Sequence, residues 1–501
     1  MKVLKNVLIN IKGNRLQLAD VYFSRHIEKI KFRLNYPILW EEINTRELHR
    51  KFARQFSKSN SSARPGEIDG AFLLLIPGAI DPHVHFDTPG FEFREDFEHA
   101  SLAAAYGGVT TIIDMPCTSV PPVTSVANME QKLKALKGRS SIDYAFWGGV
   151  SGTDFQHPKQ LHRQIKELAE AGVAGFKAYF ISGMEEFTDL TPAQLWQAAK
   201  WIGETGKVMA VHAEEKSLIL TRQEQLQAQG RRDWQAYCAS RDVLAEAAAV
   251  ATAIEIARDT RTSLHVVHLS SARGLELIRA AKAQGIPITT ETCPHYLFFT
   301  QEDFQDTAIR NFLKTAPPVK FDPDRRELWN GLADHSIEFV TTDHAGCIPE
   351  QEKSSDDFWQ VYGGIPGVEH RVPFLFSEGF LLGRLSLERT IELLSSAPAR
   401  FFGLNHRKGS LSEGFDADFA LINLWTRFPV HASEMHSKGK YTPFEGVVFH
   451  ARVEETFVRG NHIISRREKK PEKEIKIGEF VRSETNLSLT HPRYHLIKGD
   501  D

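Results

Sequence analysis

Short apolar segments rich in β-branched residues alternate with longer helix-like stretches from about residue 72 onward. This alternation constrains the fold more than any other feature, because repeated strand–helix units favour a parallel sheet. Several helix-like stretches begin with Ser, Thr, Asp or Pro, and three are followed by Gly172, Gly206 and Gly285. The predicted strands are 72–80, 110–115, 144–150, 175–180, 208–212, 264–268, 286–292 and 337–342. Eight such units predict an α/β fold, a (β/α)₈ barrel with insertions.

The segments that flank the barrel pattern differ in character. Short alternating β segments at 3–23 and 415–464 are expected to pair into one small β-sandwich domain beside the barrel. An insertion at 34–65 is expected to be partly helical and exposed, and the charged tail is expected to be mobile or to lie on a neighbouring subunit. The predicted division is 1–71 for the N-terminal part of the β domain with the insertion, 72–404 for the barrel, 405–465 for the C-terminal part of the β domain and 466–501 for the tail.

The charge balance favours a small-molecule ligand. The chain has 61 Lys and Arg against 64 Asp and Glu, a formal net charge of −3 that is not collected into blocks. This distribution argues against a nucleic-acid or membrane partner. No apolar run reaches the roughly 18 residues of a membrane span, and the first 13 residues lack a signal-peptide pattern. Four cysteines without paired spacing fit a reducing compartment, so a cytoplasmic location is expected.

Two histidines stand two residues apart in a strand-like segment, at His83 and His85. Alternate residues of a strand point to the same face, so both imidazoles could bind one cation. The pair alone is weak evidence, because the chain has 21 histidines. Further polar residues, however, stand at the ends of later strands, where barrel active sites are built. These residues are Lys177, His212, His268 and Asp343. Their recurrence predicts a metal site at the barrel mouth, the end of the barrel at which the strands terminate.

Lys177 lies in an apolar strand that faces this histidine-rich mouth. Burying an ammonium there is unfavourable, and the ammonium would repel a bound cation. Two interpretations stay open. The lysine could form an ion pair with a nearby carboxylate, or its lowered pKa could let it react with carbon dioxide. The carbamate formed in the second case has two oxygens able to bridge two metal ions.

Four longer motifs surround these residues: PGAIDPHVH at 77–85, AAAYGGVTT at 103–111, ETCPHYL at 291–297 and TDHA at 342–345. With them the chain resembles the cyclic amidohydrolases of the amidohydrolase superfamily, the group that includes dihydroorotase, allantoinase and dihydropyrimidinase or hydantoinase. The resemblance is strong from 76 to 424 and looser in the β flanks. It implies a metal-dependent hydrolase that opens a cyclic amide or ureide ring.

Transferred position by position, the family pattern implies two divalent metal ions and six ligands. The implied ligands are His83, His85 and Asp343 for one metal, His212 and His268 for the other, and a carbamate of carbon dioxide on Lys177 for both. Zinc suits these ligands, although iron, manganese and cobalt also accept them. The resemblance further implies that a metal-bridging hydroxide attacks the ring carbonyl, while Asp343 moves its proton to the departing ring nitrogen.

Three positions at which dihydroorotase binds the free carboxylate of its substrate differ in this chain. The Arg, Asn and His of that enzyme are replaced by Asp87, Cys117 and Cys347. No cation or amide donor is left, and a carboxylate at Asp87 repels another carboxylate at short range. Arg94 is near enough in sequence to supply a different cation. A dihydroorotase with an altered carboxylate site therefore stays open as an alternative.

The motifs are most similar to those of allantoinases, including DMP at 114–116, PP at 121–122, APP at 316–318 and Cys347. The stretches 91–94 and 117–118 depart from that branch, so the expected substrate is a neutral cyclic ureide or a hydantoin-like ring. The expected substrate contacts are Asp87, Cys117, His295, Thr315, Cys347 and Gly364. Gly364 is expected to present backbone groups to the ring.

Further readings concern catalysis and assembly. The same fold serves as a non-catalytic scaffold when its metal ligands are lost, whereas all six positions are intact here. The same metal pair could also hydrolyse a linear N-acyl or carbamoyl amide. Relatives usually assemble through their barrels and β flanks, so the resemblance implies a homo-oligomer, either a dimer or a tetramer.

Overall fold

The computed structural model describes residues 1–56, 65–467 and 475–484. Its strands are β1 (Lys2–Lys12), β2 (Arg15–Phe23), β3 (Ile27–Phe32), β4 (Ile38–Leu39), β5 (Glu67–Asp69), β6 (Leu74–Pro77), β7 (Ala79–His85), β8 (Val109–Asp114), β9 (Asp143–Phe146), β10 (Gly148–Gly149), β11 (Phe176–Tyr179), β12 (Met209–His212), β13 (Leu264–Val266), β14 (Ile288–Thr292), β15 (Phe339–Val340), β16 (His344–Ala345), β17 (Phe419–Asn423), β18 (Phe428–Pro429), β19 (Val448–Phe449), β20 (Arg452–Val458) and β21 (Asn461–Ser465).

The α-helices of the same residues are α1 (Arg46–Phe56), α2 (Phe97–Tyr106), α3 (Val126–Leu136), α4 (Pro158–Ala171), α5 (Pro192–Gly203), α6 (Lys216–Ala228), α7 (Trp234–Ser240), α8 (Val243–Thr260), α9 (Ala272–Ala283), α10 (Pro294–Phe298), α11 (Asp322–Ala333), α12 (Pro349–Glu352), α13 (Arg371–Phe374), α14 (Leu387–Ile391) and α15 (Ala397–Phe401). Two π-helical stretches, Leu375–Phe380 and Glu392–Ser396, continue α13 and α14. Within the described residues, no helix combines the length and apolarity that crossing a bilayer requires.

Eight parallel strands form the predicted barrel. β7, β8 and β9 pair side by side, and β10 to β15 continue the same parallel order. The third barrel strand is divided between β9 and β10, and the eighth between β15 and β16. β16 pairs in parallel with β7, with His344 opposite Val84, and this pairing closes the barrel. The first and last strands are therefore neighbours, as the predicted fold class requires.

Side-chain caps explain where several of the outer helices begin. Asp96, Thr191 and Ser271 each accept the backbone N–H three residues ahead and so satisfy a free donor of the first turn. At the other end of α4, Gly172 adopts a left-handed conformation with φ 92°. These start and stop residues are the ones that predict the helices from sequence.

The two ends of the chain build the β domain, a nine-stranded sheet. Its strand order is β21-β20-β17-β6-β1-β2-β3, with β4 paired to β2 and β5 to β1. β6 is the junction, since it pairs in parallel with β1 and antiparallel with β17. A β domain assembled from both ends was expected, and its central strand comes from the segment immediately before the barrel.

The predicted strand at 72–80 is wrong in its extent, because it contains parts of two strands. β6 belongs to the β domain, and β7 is the first barrel strand. The chain changes sheets at Gly78, where a Cβ would lie 2.1 Å from Oγ1 of Thr110. His83 and His85 consequently lie within the first barrel strand, which runs from Ala79 to His85. The predicted domain boundaries stay predictions.

The described part of the predicted insertion at 34–65 contains a short 3-10 helix at Trp40–Glu42 and the α-helix α1. None of the side chains of α1 is fully buried, although Phe52 and Phe56 pack against the core from one side. His49 stacks on Trp425 with 3.6 Å between ring centroids, which attaches the helix to the chain beyond β17. Residues 57–64 of the insertion lie outside the described residues.

The predicted C-terminal tail is described only at 466–467 and 475–484, and the second segment packs on its own barrel. Val481 donates its N–H to the carbonyl of Tyr144, and Tyr144 donates to the carbonyl of Glu479. Phe480 packs on Phe146 with 5.2 Å between centroids, and Val481 is 1% exposed. This segment therefore packs on the barrel beside β9. It does so because it carries the apolar side chains of Phe480 and Val481 among its charged residues. Residues 468–474 and 485–501 lie outside the described residues.

We expect Val481→Asp to destabilise the protein by several kcal/mol, because it places an unpaired carboxylate in an apolar core. The measurement is the thermal or urea unfolding midpoint. Val120→Asp is the matched control, since Val120 is 41% exposed and its replacement leaves the carboxylate in water. Equal midpoints for the two variants would contradict the docking of residues 475–484 on the barrel.

Candidate active site

The residues predicted from strand ends do lie at one end of the barrel. His83 and His85 come from β7, Lys177 from β11 and His212 from the last position of β12. The other two lie in loops just beyond strands: His268 follows β13, and Asp343 lies between β15 and β16. The carboxyl ends of parallel barrel strands face one side, so six side chains separated by up to 260 residues are brought together.

The polar atoms of these residues converge closely. Nε2 of His83 and Nε2 of His85 lie 3.1 and 3.2 Å from Oδ1 of Asp343. One ligand atom from each of His83, His268 and Asp343 falls within 4.8 Å of the others. Nδ1 of His212 lies 3.0 Å from Nε2 of His268. Four imidazoles and a carboxylate with this spacing are a donor set that fits divalent metal ions.

Lys177 occupies the same space and has no hydrogen-bond partner for Nζ among the described residues. Its side chain is fully buried, with Nζ 4.8 Å from the centroid of the Tyr179 ring. Burial lowers the pKa of Lys177 to about 8. Burial lowers the pKa of His212 and of His268, and the charge of Lys177 acts in the same direction on both. The ion pair considered from sequence is not formed with any described residue.

A buried carboxylate orients the first histidine. His83 donates its Nδ1–H to Oε1 of Glu291 at 2.5 Å, so its Nε2 is the atom that faces Asp343. Glu291 is itself fully buried, and Oε2 lies 3.2 Å from Nε2 of His265. Although burial opposes ionisation, the two imidazoles lower the pKa of Glu291 below its usual value. Glu291 thereby fixes the ring orientation of His83.

A second carboxylate orients His212, but it binds the other ring nitrogen, Nε2 instead of Nδ1. His212 donates its Nε2–H to Oε2 of Glu214 at 2.9 Å, which leaves Nδ1 facing His268. Arg241 pairs with the same oxygen of Glu214 and, against the effect of burial, lowers the pKa of this carboxyl. The backbone carbonyl of Arg241 accepts a hydrogen bond from Lys320 at 2.7 Å. The arginine is thus held in place from both ends.

Backbone conformation also marks this site. His268 and Asp343 adopt left-handed conformations with φ 40° and 50°, and Asp87 does so with φ 54°. Such conformations are uncommon for residues other than glycine and cluster at functional sites. All three residues follow barrel strands at the barrel mouth.

Two of the predicted substrate contacts lie next to the histidines. Sγ of Cys117 lies 3.8 Å from Nδ1 of His85 and 3.1 Å from the hydroxyl of Tyr179. Asp87 is 2% exposed, and burial raises its pKa well above the usual value, with Glu95 and Asp114 acting in the same direction. His85 and Arg94 act in the opposite direction, but burial outweighs them and favours the neutral form of the Asp87 carboxyl.

His295 also faces this region from α10. It is buried, its Nε2 has no partner among the described residues, and burial lowers its pKa to about 4. Asp343 is the charged group that acts on it most strongly. A neutral imidazole with a free nitrogen is available to a ligand.

Thr315, Cys347 and Gly364 are occupied by contacts within the protein. Oγ1 of Thr315 donates to the carbonyl of Pro317 at 2.8 Å, and Cys347 is buried against Tyr441. Gly364 donates its N–H to the carbonyl of Lys314 and accepts from the hydroxyl of Tyr441. Its N–H and its carbonyl therefore already have partners within the protein, and a contact between Gly364 and a substrate stays a prediction. A Cβ at this position would lie 2.8 Å from the Tyr362 ring, which explains the glycine by packing.

Sequence reasoning missed the residues that support the histidines and enclose the site. Glu214 stands two residues after His212, and Glu291 is the first residue of the ETCPHYL motif. Residues two apart on a strand share a face, and this spacing is the sequence signal that could have found them. Tyr179 follows Lys177 with the same spacing. Arg241 carries no comparable signal, because it approaches Glu214 from the loop between α7 and α8.

Comparison with known proteins agrees with this geometry. Residues 74–463 match the sequence model of the amidohydrolase family. The allantoinase of Rubrobacter xylanophilus is 36% identical over 398 residues, which cover 79% of this chain and 85% of that protein. The allantoinase of Saccharomyces cerevisiae is 34% identical over 392 residues, covering 77% and 82%. The solved L-hydantoinase (dihydropyrimidinase) from Arthrobacter aurescens is 29% identical with a TM-score of 0.83, covering 96% of this chain and 99% of that one.

A barrel with convergent imidazoles and a carboxylate at its mouth defines a metal-dependent hydrolase, and the family match agrees. The chain belongs to the amidohydrolase family. Its allantoinase and hydantoinase relatives make it a hydrolase of the carbon–nitrogen bonds of cyclic amides. The class predicted from sequence is confirmed.

We expect Glu291→Gln to weaken metal binding about 10- to 100-fold, because a neutral amide holds the His83 imidazole less firmly than a carboxylate does. The measurement is a metal titration against a chromophoric chelator, with circular dichroism to verify folding. Glu302→Gln makes the same replacement at an exposed site and serves as control. A metal affinity equal to that of the control would contradict the role of Glu291.

Proposed function

We propose that the chain opens the ring of a neutral cyclic ureide, allantoin or a related hydantoin, with two divalent metal ions that are most simply zinc. The observation that carries the proposal is the convergence of His83, His268 and Asp343 around a buried lysine without a partner. The relatives support the substrate class, since those at 34–36% identity over most of the chain are allantoinases.

We infer that Lys177 carries a carbamate. An unprotonated amine adds to carbon dioxide and releases one proton, which converts a basic side chain into an anion with two oxygens. The pKa of about 8 leaves an appreciable fraction of this amine unprotonated near neutral pH. An anion at Lys177 also suits four neighbouring imidazoles better than an ammonium does, because it balances the charge of bound cations. Lys177 would then contribute one oxygen to each metal.

The remaining ligands divide by position. His83 and His85 would bind one metal through Nε2 together with Asp343, and His212 and His268 would bind the other through Nδ1 and Nε2. Bound metal ions would polarise the ring carbonyl and lower the pKa of the attacking water. Glu291 and Glu214 hold these imidazoles in place. Glu291 accepts a hydrogen bond from Nδ1 of His83, and Glu214 accepts one from Nε2 of His212.

Asp343 is the proposed proton carrier. Burial opposes ionisation, but the imidazoles of His83 and His85 hold the pKa of Asp343 well below its usual value, so the carboxylate is available as a base. It takes a proton from the attacking water as oxygen bonds to the ring carbon. When the ring C–N bond breaks, the same proton passes to the departing nitrogen. Water is thereby added across one amide bond, and the catalyst is regenerated.

The surroundings of Asp87 favour a neutral ring over dihydroorotate. Burial raises the pKa of Asp87, and the nearby carboxylates of Glu95 and Asp114 raise it further, so a substrate carboxylate there would be desolvated beside other carboxyl groups. Arg94, the alternative cation, donates from Nε and NH2 to Glu352 at 2.8 and 2.6 Å. Its guanidinium also stacks on Tyr362, with 4.7 Å to the ring centroid. Because its charge is already balanced by Glu352, Arg94 is poorly suited to bind a substrate carboxylate.

Two further properties belong to the proposal. A homo-oligomer is supported only by the fold shared with the hydantoinases. A reducing, cytoplasmic location is supported by four cysteines that are all buried and unpaired.

Lys177→Ala is expected to remove most bound metal and to lower kcat/KM at least about 1000-fold, which corresponds to about 4 kcal/mol of transition-state stabilisation. Elemental analysis and turnover of allantoin are measured together. A short carboxylic acid such as propionate should restore part of both. Lys200→Ala, at an exposed position of α5, is the control. Unchanged metal content in the Lys177 variant would refute the bridging role.

A substrate panel tests the ring preference. With metal-analysed protein, allantoin or hydantoin should have a kcat/KM at least about 100-fold above that of dihydroorotate, or about 2.7 kcal/mol. Dihydrouracil distinguishes a six-membered neutral ring from a five-membered one. Turnover of dihydroorotate alone would overturn the proposed specificity and leave the metal chemistry intact.

A further inference from the structure

A cavity of about 730 Å³ lies away from the barrel mouth, where three separate parts of the chain meet. One wall comes from the start of α1 in the insertion, which lies outside residues 74–463. A second wall comes from the π-helical stretch Leu375–Phe380 and the two leucines that follow it, and a third from the residues after β17. The cavity therefore depends on a segment that the family match does not include.

The charged groups that line this cavity are all basic. They are Arg46 and Arg427, the imidazole of His450 is also part of the lining, and no carboxylate is among the described residues that line it. Neither arginine forms a hydrogen bond or an ion pair with any residue in the described parts of the chain. Neighbouring arginines differ, since Arg384 pairs with Glu378 at 2.9 Å and Arg452 pairs with Glu454. The cavity thus carries positive charge that the protein does not balance locally.

A buried hydroxyl adds a donor at the floor of the cavity. Ser377 is 2% exposed, and its Oγ accepts the backbone N–H of His450 at 2.9 Å and that of Ala451 at 3.1 Å. With both lone pairs occupied, the hydroxyl hydrogen must be donated elsewhere. No described residue accepts it, although Ser377 lines the cavity. A buried donor without an acceptor is unfavourable unless a ligand or water supplies one.

The cavity is also lined by apolar side chains. Leu381, Leu424 and Trp425 line it together with Leu382, which is 58% exposed. Trp425 is held rigidly, because its Nε1–H donates to the carbonyl of Ile43 at 2.6 Å. An exposed leucine beside a fixed indole is a surface that gains free energy when an apolar group covers it.

We propose that this cavity is a binding site for a small organic anion that combines a sulfonate, phosphate or carboxylate with an apolar or aromatic portion. The anionic oxygens accept hydrogen bonds from Ser377, Arg46 and Arg427. The apolar portion packs on Leu382 and Trp425. The site is separate from the barrel mouth and does not depend on the metal chemistry proposed there.

The test is isothermal titration calorimetry of the full-length holoenzyme with three probes. Naphthalene-1-sulfonate carries both features, inorganic phosphate carries the charge alone, and 1-naphthalenemethanol carries the ring alone. We expect one saturable site per chain for the sulfonate, with each single-feature probe bound at least about tenfold more weakly. Because the arginines are exposed, binding should also weaken as salt concentration rises.

Variants assign the binding to this cavity. Arg46→Gln with Arg427→Gln should weaken sulfonate binding at least about tenfold, and Leu382→Ser should weaken the sulfonate but not phosphate. Arg384→Gln is the matched control, because Arg384 pairs with Glu378 and does not line the cavity. Unchanged melting temperatures verify that these surface variants fold. Absence of saturable sulfonate binding up to about 10 mM, or equal binding by the double variant and the control, would overturn the proposal.

Discussion

The buried amine of Lys177 imposes the constraint on which the rest of the active site depends. Its Nζ is fully buried and has no partner among the described residues. As an ammonium it would disfavour the protonated forms of the neighbouring His212 and His268. A hydrocarbon side chain of similar length would fill the same volume at lower cost, so packing does not explain a lysine here. The carbamate proposed for Lys177 would explain it, because that anion suits a pocket of imidazoles better than an ammonium does. Every other feature of the mouth can be understood as holding ligands around that amine.

Two buried carboxylates achieve this positioning with different partners. Glu291 binds His83 at Nδ1, and Glu214 binds His212 at Nε2, so each presents the other nitrogen to the centre. The guanidinium of Arg241 forms an ion pair with Glu214. The second contact of Glu291 is instead with the imidazole of His265. Barrel closure completes the arrangement, since the pairing of His344 with Val84 sets Asp343 beside His83. Strand register therefore determines a distance of 3.1 Å between residues that are 260 positions apart in sequence.

The sequence predicted the barrel and the cluster at its mouth because both follow from strand ends. A parallel strand places its last side chains at a shared edge, so His83, Lys177 and His212 could be expected together without knowledge of packing. The first strand was misplaced, because an apolar run does not reveal that the chain changes sheets at Gly78. At Gly78 the backbone passes so close to Thr110 that a Cβ would clash with it, and only the folded structure reveals this approach.

Residues that act through other residues were harder to predict. Arg241 reaches Glu214 from a loop between two helices, and no periodicity connects the two. The docked segment at 475–484 was also missed, because its charged neighbours in sequence conceal the apolar contacts of Phe480 and Val481. Both cases require knowing which loop lies over which strand. Local patterns carry no such information.

Catalysis and selectivity are separable in this architecture because they rest on different parts of the barrel. The atoms around Asp343 come from strand ends whose positions are set by backbone pairing, and their chemistry is indifferent to which ring is opened. Asp87 lies beyond the first strand, in a loop, among carboxylates that oppose further negative charge. Arg94 offsets this only in part, because Glu352 already pairs with its guanidinium. The same loops could be rebuilt for another ring while the metal ligands stay fixed, so the substrate has to be inferred from Asp87 and its neighbours and not from the histidines.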